Sequence, residues 1–125
     1  MKETKKLNIT KSRELFEEAI TLVPGGVLGA RKPGDFIDGE YPIFLETGKG
    51  CRLTDVDGNE FIDFLCGYGP IILGYREAEV DEAVYKQIKE KGFCFTLTQK
   101  FQNLLAKKLN EIVPSSEMSI FLKTG

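Results

Sequence analysis

Two short apolar runs on either side of a turn signal limit the possible folds more than any other feature of this sequence. Cys51–Val56 and Glu60–Leu65 flank Asp57-Gly58-Asn59. Glycine and asparagine both tolerate positive φ, so this pattern predicts a β-hairpin. A further apolar run, Pro42–Glu46, precedes the hairpin. We therefore predict a small antiparallel sheet of about three strands.

Helical periodicity is found on both sides of this sheet. It covers Thr10–Val23, Glu77–Lys91 and a third segment in which Thr98 serves as the N-cap and Pro114 ends the helix. The residues that we expect these helices to bury are Leu15, Phe16, Ala19, Ile20, Val23, Val80, Ala83, Val84, Ile88, Phe101, Leu104, Leu105, Leu109 and Ile112. Met118–Leu122 has the character of one more strand. The chain is thus predicted to be locally α+β.

Composition excludes several classes of function. Lys and Arg total 17 and Asp and Glu total 19, a net charge of -2, so we expect no nucleic-acid or membrane partner. No apolar run is long enough to cross a bilayer and no secretion signal begins the chain, so a cytoplasmic location is expected. There is no histidine, and Cys51, Cys66 and Cys94 form no C-x-x-C pair. No metal site is therefore predicted.

A series of short motifs resembles one known family. The motifs are Pro24-Gly25-Gly26-Val27, Gly48-Lys49-Gly50, Asp55-Val56-Asp57-Gly58-Asn59-Glu60-Phe61-Ile62-Asp63, Gly69-Pro70-Ile71-Ile72-Leu73-Gly74 and Lys91-Gly92. Their order and spacing resemble the class III pyridoxal-phosphate-dependent aminotransferases, and most closely glutamate-1-semialdehyde aminomutase-like proteins. Each motif alone is weak, whereas the ordered set covers nearly the whole chain.

The resemblance implies a fold and a division of the chain. The fold is α/β, that of a fold-type-I pyridoxal-phosphate-dependent transferase, of which this chain is the N-terminal part. Residues 1–114 correspond to the N-terminal segment and part of the small domain. Residues 115–125 correspond to the start of the large cofactor domain, with Met118–Gly125 as its first strand and the turn after it.

The resemblance also implies site residues. Thr124 and Gly125 match the turn that holds the cofactor phosphate, where a helix N-terminus offers N–H donors to an anion. Arg31 matches an arginine that pairs with the substrate carboxylate through its planar fork, and Tyr68 stands where the aminomutase has a tryptophan near the substrate. Without the resemblance, Arg31 would be interpreted as a solvated charge and Tyr68 as a cap on the sheet. The chain contains no catalytic residue, because the family's Schiff-base lysine lies beyond it.

Substitutions around the substrate-facing loop distinguish the chain from the aminomutase. In the phosphate turn, Thr124 replaces a serine and keeps the hydroxyl. In the substrate-facing loop, Gly67 replaces a serine, Tyr68 a tryptophan and Tyr75 the histidine of the common G-H motif. The differences in this loop favour a relative with a different substrate. The implied activity is movement of an amino group between small amines, amino acids or keto acids through an aldimine with pyridoxal phosphate. It requires the remainder of the enzyme, in a homodimer. The alternative is a stand-alone α+β module that binds a partner and catalyses nothing.

Overall fold

The computed structural model describes residues 6–28 and 42–122 of the chain. The described helices are α1 (Thr10–Leu22), α2 (Ala78–Lys91) and α3 (Lys100–Ile112), and the strands are β1 (Leu45–Lys49), β2 (Arg52–Asp55) and β3 (Glu60–Ile62). Two short 3-10 turns, Pro24–Gly26 and Cys66–Tyr68, lie in the connections. The predicted local α+β arrangement is therefore confirmed. No helix in this described part is long and apolar enough to cross a membrane.

The chain divides into two compact units, Met1–Asp81 and Glu82–Gly125. The first unit contains α1 and the sheet, and it ends within the first turn of α2. The second unit contains the rest of α2 and all of α3. The domain boundary near residue 114 that the family resemblance implies stays a prediction.

The sheet has the strand order β1-β2-β3, and both pairs are antiparallel. The first strand lies further along the chain than its apolar run predicted. It starts at Leu45 and continues through Gly48 to Lys49. A Cβ at Gly48 would lie 2.7 Å from Cγ of Tyr75, so glycine in this strand makes room for an aromatic ring. Here the glycine marks a close approach rather than the end of the strand.

α1 agrees with its predicted span to within one residue. It ends at Leu22, and Val23 is extended, as expected for the residue before Pro24. Gly26 then has a φ of 65° and is buried against α1, where a Cβ would lie 2.8 Å from Cε2 of Phe16. The chain can turn back on the helix here because glycine has no side chain.

The predicted N-cap of the third helix is wrong. α3 starts at Lys100, and the residue before it is Gln99, which makes no side-chain capping hydrogen bond. An N-cap side chain must belong to the residue that directly precedes the first helical residue. Thr98 lies one position too early to fill that role.

The predicted burial of the apolar helix faces is wrong for most of these residues. The exposed ones are Leu15, Ile20, Val23, Val80, Ala83, Val84, Ile88, Phe101, Leu104, Leu105 and Ile112. Among the described residues, Ile9 and Pro42 are buried apolar residues, and the fully buried side chains are Ser12 and Asp55. The periodicity correctly identified helices with an apolar face. Periodicity identifies an apolar face, but it carries no information on whether another segment of these 125 residues covers that face.

Residues 118–122 do not form the predicted strand. They pair with no other segment in the part of the chain that the structure describes. A strand is defined by its ladder of backbone hydrogen bonds, so a strand-like sequence without a partner stays irregular.

Candidate functional site

A tightly turned loop of residues 64–74 follows β3, and we call it the glycine-rich loop. Four consecutive residues in it have positive φ, from Cys66 at 51° through Gly67 and Tyr68 to Gly69 at 120°. Backbone bonds hold the turns, with N–H groups of Gly69 and Ile71 donating to the Cys66 carbonyl at 2.9 and 3.0 Å. Positive φ at a residue other than glycine costs about 1–3 kcal/mol. The surrounding contacts therefore hold this loop in an unfavourable conformation.

Tyr68 is the predicted site residue that the structure locates. It lies in the 3-10 turn Cys66–Tyr68 with a φ of 66°, and it is 74% exposed. The side chain is thus largely exposed at the glycine-rich loop. The other predicted site residues, Arg31, Thr124 and Gly125, lie outside the described residues. Their proximity to Tyr68 therefore stays a prediction.

One carboxylate closes both ends of the glycine-rich loop. At the start of the loop, Oδ1 of Asp63 accepts hydrogen bonds from the N–H groups of Leu65 at 2.8 Å and Cys66 at 3.1 Å. At the end of the loop, the hydroxyl of Tyr75 donates to Oδ2 of Asp63 at 2.8 Å. We call the pair formed by Asp63 and Tyr75 the clasp. It joins residues that are 12 positions apart in sequence.

The hydrogen bonds of the clasp shift the pKa values of both side chains. The bond from Tyr75, followed by those from Leu65 and Cys66, lowers the pKa of Asp63 despite some desolvation. The same bond, desolvation and the nearby charges raise the pKa of Tyr75 above 10.0. Because the pKa of Asp63 is lowered, its carboxylate stabilises the fold above the usual carboxyl range, and this stabilisation is lost in acid. Because the pKa of Tyr75 is raised, its phenol stabilises the fold below pH 10.0, and this stabilisation is lost in alkali. The clasp is therefore intact throughout the neutral range.

Tyr75 is held in place by β1 and the turn that follows it. Its N–H donates to the carbonyl of Gly50 at 2.8 Å, and the N–H of Gly50 donates to its carbonyl at 2.9 Å. Its ring lies against Gly48 of β1. Gly74 has a φ of 89°, and a Cβ there would lie 2.9 Å from the backbone of Gly50. The phenol therefore extends from the turn between β1 and β2 to the end of β3.

A second group of polar side chains fixes the start of α1. Asp57, in the hairpin turn, accepts hydrogen bonds from the N–H groups of Lys11 at 2.7 Å and Ser12 at 2.9 Å. These N–H groups have no partner within the helix, so Asp57 caps α1 from 46 residues away. Some desolvation of Asp57 acts to raise its pKa, but the hydrogen bonds from Ser12 and Lys11 outweigh it and the pKa is lowered.

Two cavities adjoin the clasp in the first unit. A small one of 190 Å³ is lined by Gly50, Asp63, Cys66 and Tyr75 among others. A larger apolar groove of 770 Å³ is lined mainly by residues 43–45 and 61–65 together with Leu53. Asp63 lines both of them. The carboxylate that closes the glycine-rich loop therefore also lies at the edge of an apolar surface.

The clasp was not predicted from the sequence. The signal for its first half is present, because an Asp whose carboxylate accepts from N–H groups two or three residues ahead is a common turn-forming pattern. The second half depends on Tyr75, which reaches Asp63 only after the glycine-rich loop has folded back. From the sequence, Asp57 is a residue of the hairpin turn and Asp63 lies in the second apolar run. In the structure their carboxylates accept hydrogen bonds from N–H and O–H donors.

Comparison with known proteins places this arrangement in a family. The sequence model described as "Aminotransferase class-III" matches residues 37–125, which include the sheet, the clasp and the glycine-rich loop. The chain belongs to the class III aminotransferases. The resemblance found in the sequence motifs is thereby confirmed.

Several relatives are similar over nearly the whole chain. A 3-aminobutyryl-CoA aminotransferase from Cloacimonas acidaminovorans is 63% identical over 120 residues, which is 96% of this chain and 29% of that protein. A glutamate-1-semialdehyde 2,1-aminomutase from Bacillus pumilus is 40% identical over 92% of this chain and 26% of its own length. The chain thus spans less than a third of the length of the curated relatives it matches.

Solved structures agree with the sequence comparisons. The FumI protein of Sphingopyxis sp. MTA144, in its pyridoxal-phosphate internal aldimine form, matches with a TM-score of 0.80 and 31% identity over 93% of this chain and 28% of that one. An omega-transaminase from Sphaerobacter thermophilus matches with a TM-score of 0.73 and 30% identity over 90% of this chain and 26% of that one. The fold of this chain is therefore that of the N-terminal part of such transaminases.

Proposed function

We propose that this chain is the N-terminal portion of a pyridoxal-phosphate-dependent aminotransferase, which moves an amino group between a small amine and a keto acid. The observation that carries this proposal is the family match over residues 37–125. That match includes the strained glycine-rich loop and the clasp that closes it. Activity belongs to the complete protein, because the family's Schiff-base lysine has no counterpart in these residues.

Pyridoxal phosphate, when bound, supplies an aldehyde that takes up amino groups and a ring that withdraws electrons. We propose that the glycine-rich loop forms one wall of such a site. Tyr68 offers an exposed aromatic face between two glycines, so a flat ring or its substrate could approach both the phenol and the bare backbone. Thr124 and Gly125 are proposed to hold the phosphate. Arg31 is proposed to bind a carboxylate, and Tyr68 to contact the substrate.

For the substrate, the most informative relative is the 3-aminobutyryl-CoA aminotransferase at 63% identity. It is followed by aminomutases at about 40% identity. The substitutions at Gly67, Tyr68 and Tyr75 separate this chain from the aminomutase in the substrate-facing loop. We therefore propose a substrate with its amino group on the β carbon of an acyl thioester. We further propose a homodimer located in the cytoplasm, with no nucleic-acid or membrane partner.

The test uses the complete protein that contains this chain. It is loaded with pyridoxal phosphate and given either 3-aminobutyryl-CoA with an α-keto acid, or glutamate-1-semialdehyde alone. Amino transfer from the thioester that depends on the keto acid supports the proposal. Isomerisation of the semialdehyde without a keto acid would show that the complete protein is an aminomutase and would refute the proposed aminotransferase activity. A protein that neither retains the cofactor nor transfers amino groups would favour the non-catalytic module instead. Cofactor-free protein is the control.

A further inference from the structure

Nothing in the family match explains why a tyrosine at the end of the glycine-rich loop should hydrogen-bond to an aspartate at its start. The Tyr75 hydroxyl and the two loop N–H groups share the single carboxylate of Asp63, at 2.8, 2.8 and 3.1 Å. The bond between Asp63 and Tyr75 fixes the two residues that flank the loop relative to one another. Tyr68 lies between those anchors and has the unfavourable φ of 66°.

The anchors themselves cannot shift easily. The paired backbone hydrogen bonds with Gly50 hold the main chain of Tyr75. The N–H of Asp63 donates to the carbonyl of Cys51 at 2.9 Å. Both anchors are therefore attached to the same turn, residues 50–51, between β1 and β2. The hydroxyl of Tyr75 adds the contact that joins them through side chains, so its removal breaks that link and loosens the loop between them while the backbone attachments remain.

We infer that Tyr75 and Asp63 are positioning residues that hold Tyr68 in the place where it meets the substrate. The inference rests on the proposed function, in which Tyr68 contacts the substrate. It goes beyond that function by assigning a role to two residues that do not themselves reach the substrate. Because the clasp orients a binding residue and takes no part in proton movement, its loss changes KM and leaves kcat unchanged.

The experiment compares Tyr75→Phe, Asp63→Asn and the matched control Tyr85→Phe in the complete, cofactor-loaded protein. Tyr85 is an exposed tyrosine of α2, so the control makes the same chemical change away from the loop. Tyr75→Phe removes one hydrogen bond to a charged group, and KM for the amine substrate is expected to rise about tenfold. In Asp63→Asn the amide oxygen still accepts from the loop and the amide N–H donates to the phenol oxygen. That variant should therefore stay within about threefold of wild type.

A second readout does not depend on catalysis. Hydrogen exchange of the loop peptide covering residues 64–74 is expected to accelerate in Tyr75→Phe and to stay unchanged in Tyr85→Phe. If Tyr75→Phe fails to fold, wild-type protein decides the matter. The N–H groups of Leu65 and Cys66, which donate to Asp63, must then exchange more slowly than that of the neighbouring Gly67, and equal rates would overturn the inference.

The outcomes separate this inference from the proposed function. An unchanged KM in folded Tyr75→Phe, or a fall in kcat without a rise in KM, overturns the positioning role while amino transfer itself stands. A complete protein that transfers no amino group refutes the proposed function and, with it, the role toward substrate. The exchange measurement then still decides whether the clasp holds the loop.

Discussion

The buried carboxylate of Asp55 organises the hairpin, and its removal is expected to loosen both the hairpin and α1. Its Oδ1 accepts hydrogen bonds from the N–H groups of Asp57 at 3.0 Å and Asn59 at 2.7 Å, and its Oδ2 accepts one from Nδ2 of Asn59 at 2.7 Å. The side chain has no exposed surface. Asp55→Ala would therefore leave three donors without the acceptor that now serves them.

The size of the effect follows from those donors. Leaving a buried donor unsatisfied costs about 1–3 kcal/mol. The turn lies near the surface and can admit water, so we expect a total of about 3 kcal/mol rather than the full sum. This corresponds to a rise of about two orders of magnitude in the local opening constant. The free-energy cost of Asp55→Asn should lie between those of wild type and Asp55→Ala. All three partners of Asp55 are donors, and an amide offers only one acceptor oxygen, whichever way it is turned.

The loss should spread to α1 by a specific route. The N–H bond from Asp57 to Asp55 orients the turn so that the Asp57 carboxylate meets the N–H groups of Lys11 and Ser12. Without Asp55, the cap of a helix 45 residues distant is expected to weaken as well. Unfolding of a large enzyme is rarely two-state, so a local measurement is needed.

Hydrogen exchange by mass spectrometry on the complete protein provides that measurement. Peptides covering residues 6–22 and 42–63 should both exchange faster in Asp55→Ala. Glu60→Ala is the matched control from the same hairpin. The side chain of Glu60 forms an exposed ion pair with Arg52 at 3.8 Å, and the loss of such a pair should be nearly neutral. Faster exchange in the hairpin alone would refute the coupling to α1. Unchanged exchange in both peptides would refute the whole argument.

Three other perturbations test separate parts of the reasoning. Gly74→Ala places a Cβ 2.9 Å from the backbone of Gly50 at a residue with positive φ. It should lower the melting temperature of the complete protein more than Gly58→Ala, because Gly58 has a similar φ but open space around it. Equal shifts in melting temperature would contradict this. Arg31→Lys should raise KM for a carboxylate-bearing substrate by the equivalent of about 1.5–3 kcal/mol, and unchanged kinetics would make Arg31 a solvated charge. The 125-residue chain alone should aggregate, whereas a monodisperse monomer in light scattering would show that its exposed apolar faces need no cover.

Elements set by local chemistry were predictable from the sequence. The apolar periodicity of residues 10–23 and the proline after it predicted α1 to within one residue. The Asp57-Gly58-Asn59 signal predicted the hairpin, and Gly58 has a φ of 84°. In each case the deciding interactions lie within a few residues of one another. The same signals reveal nothing about which distant group a side chain will meet.

The features that were missed depend on distant partners. Asp57 serves as a turn residue in the sequence, yet its carboxylate caps a helix 46 residues earlier. Gly48 lies beyond the predicted end of the first strand at Glu46, yet it belongs to β1. The ring of Tyr75, which needs the space that a side chain would fill at Gly48, comes 27 residues (75 − 48) later in the chain. Residues 118–122 have strand character, but a strand forms only where a partner supplies the ladder. Propensity describes a segment, whereas pairing is a property of two segments.

The contrast between buried polar and exposed apolar side chains bears on how the glycine-rich loop acquires its shape. The best-buried side chains among the described residues are Ser12 and Asp55, while large apolar residues such as Phe64 and Ile72 are exposed. Hydrogen bonds among residues 50–75 of the first unit fix both ends of the loop. Directional bonds within the unit therefore contribute to the shape of the loop. Apolar packing is non-directional, so covering the exposed faces would stabilise this unit without having to determine where Tyr68 lies.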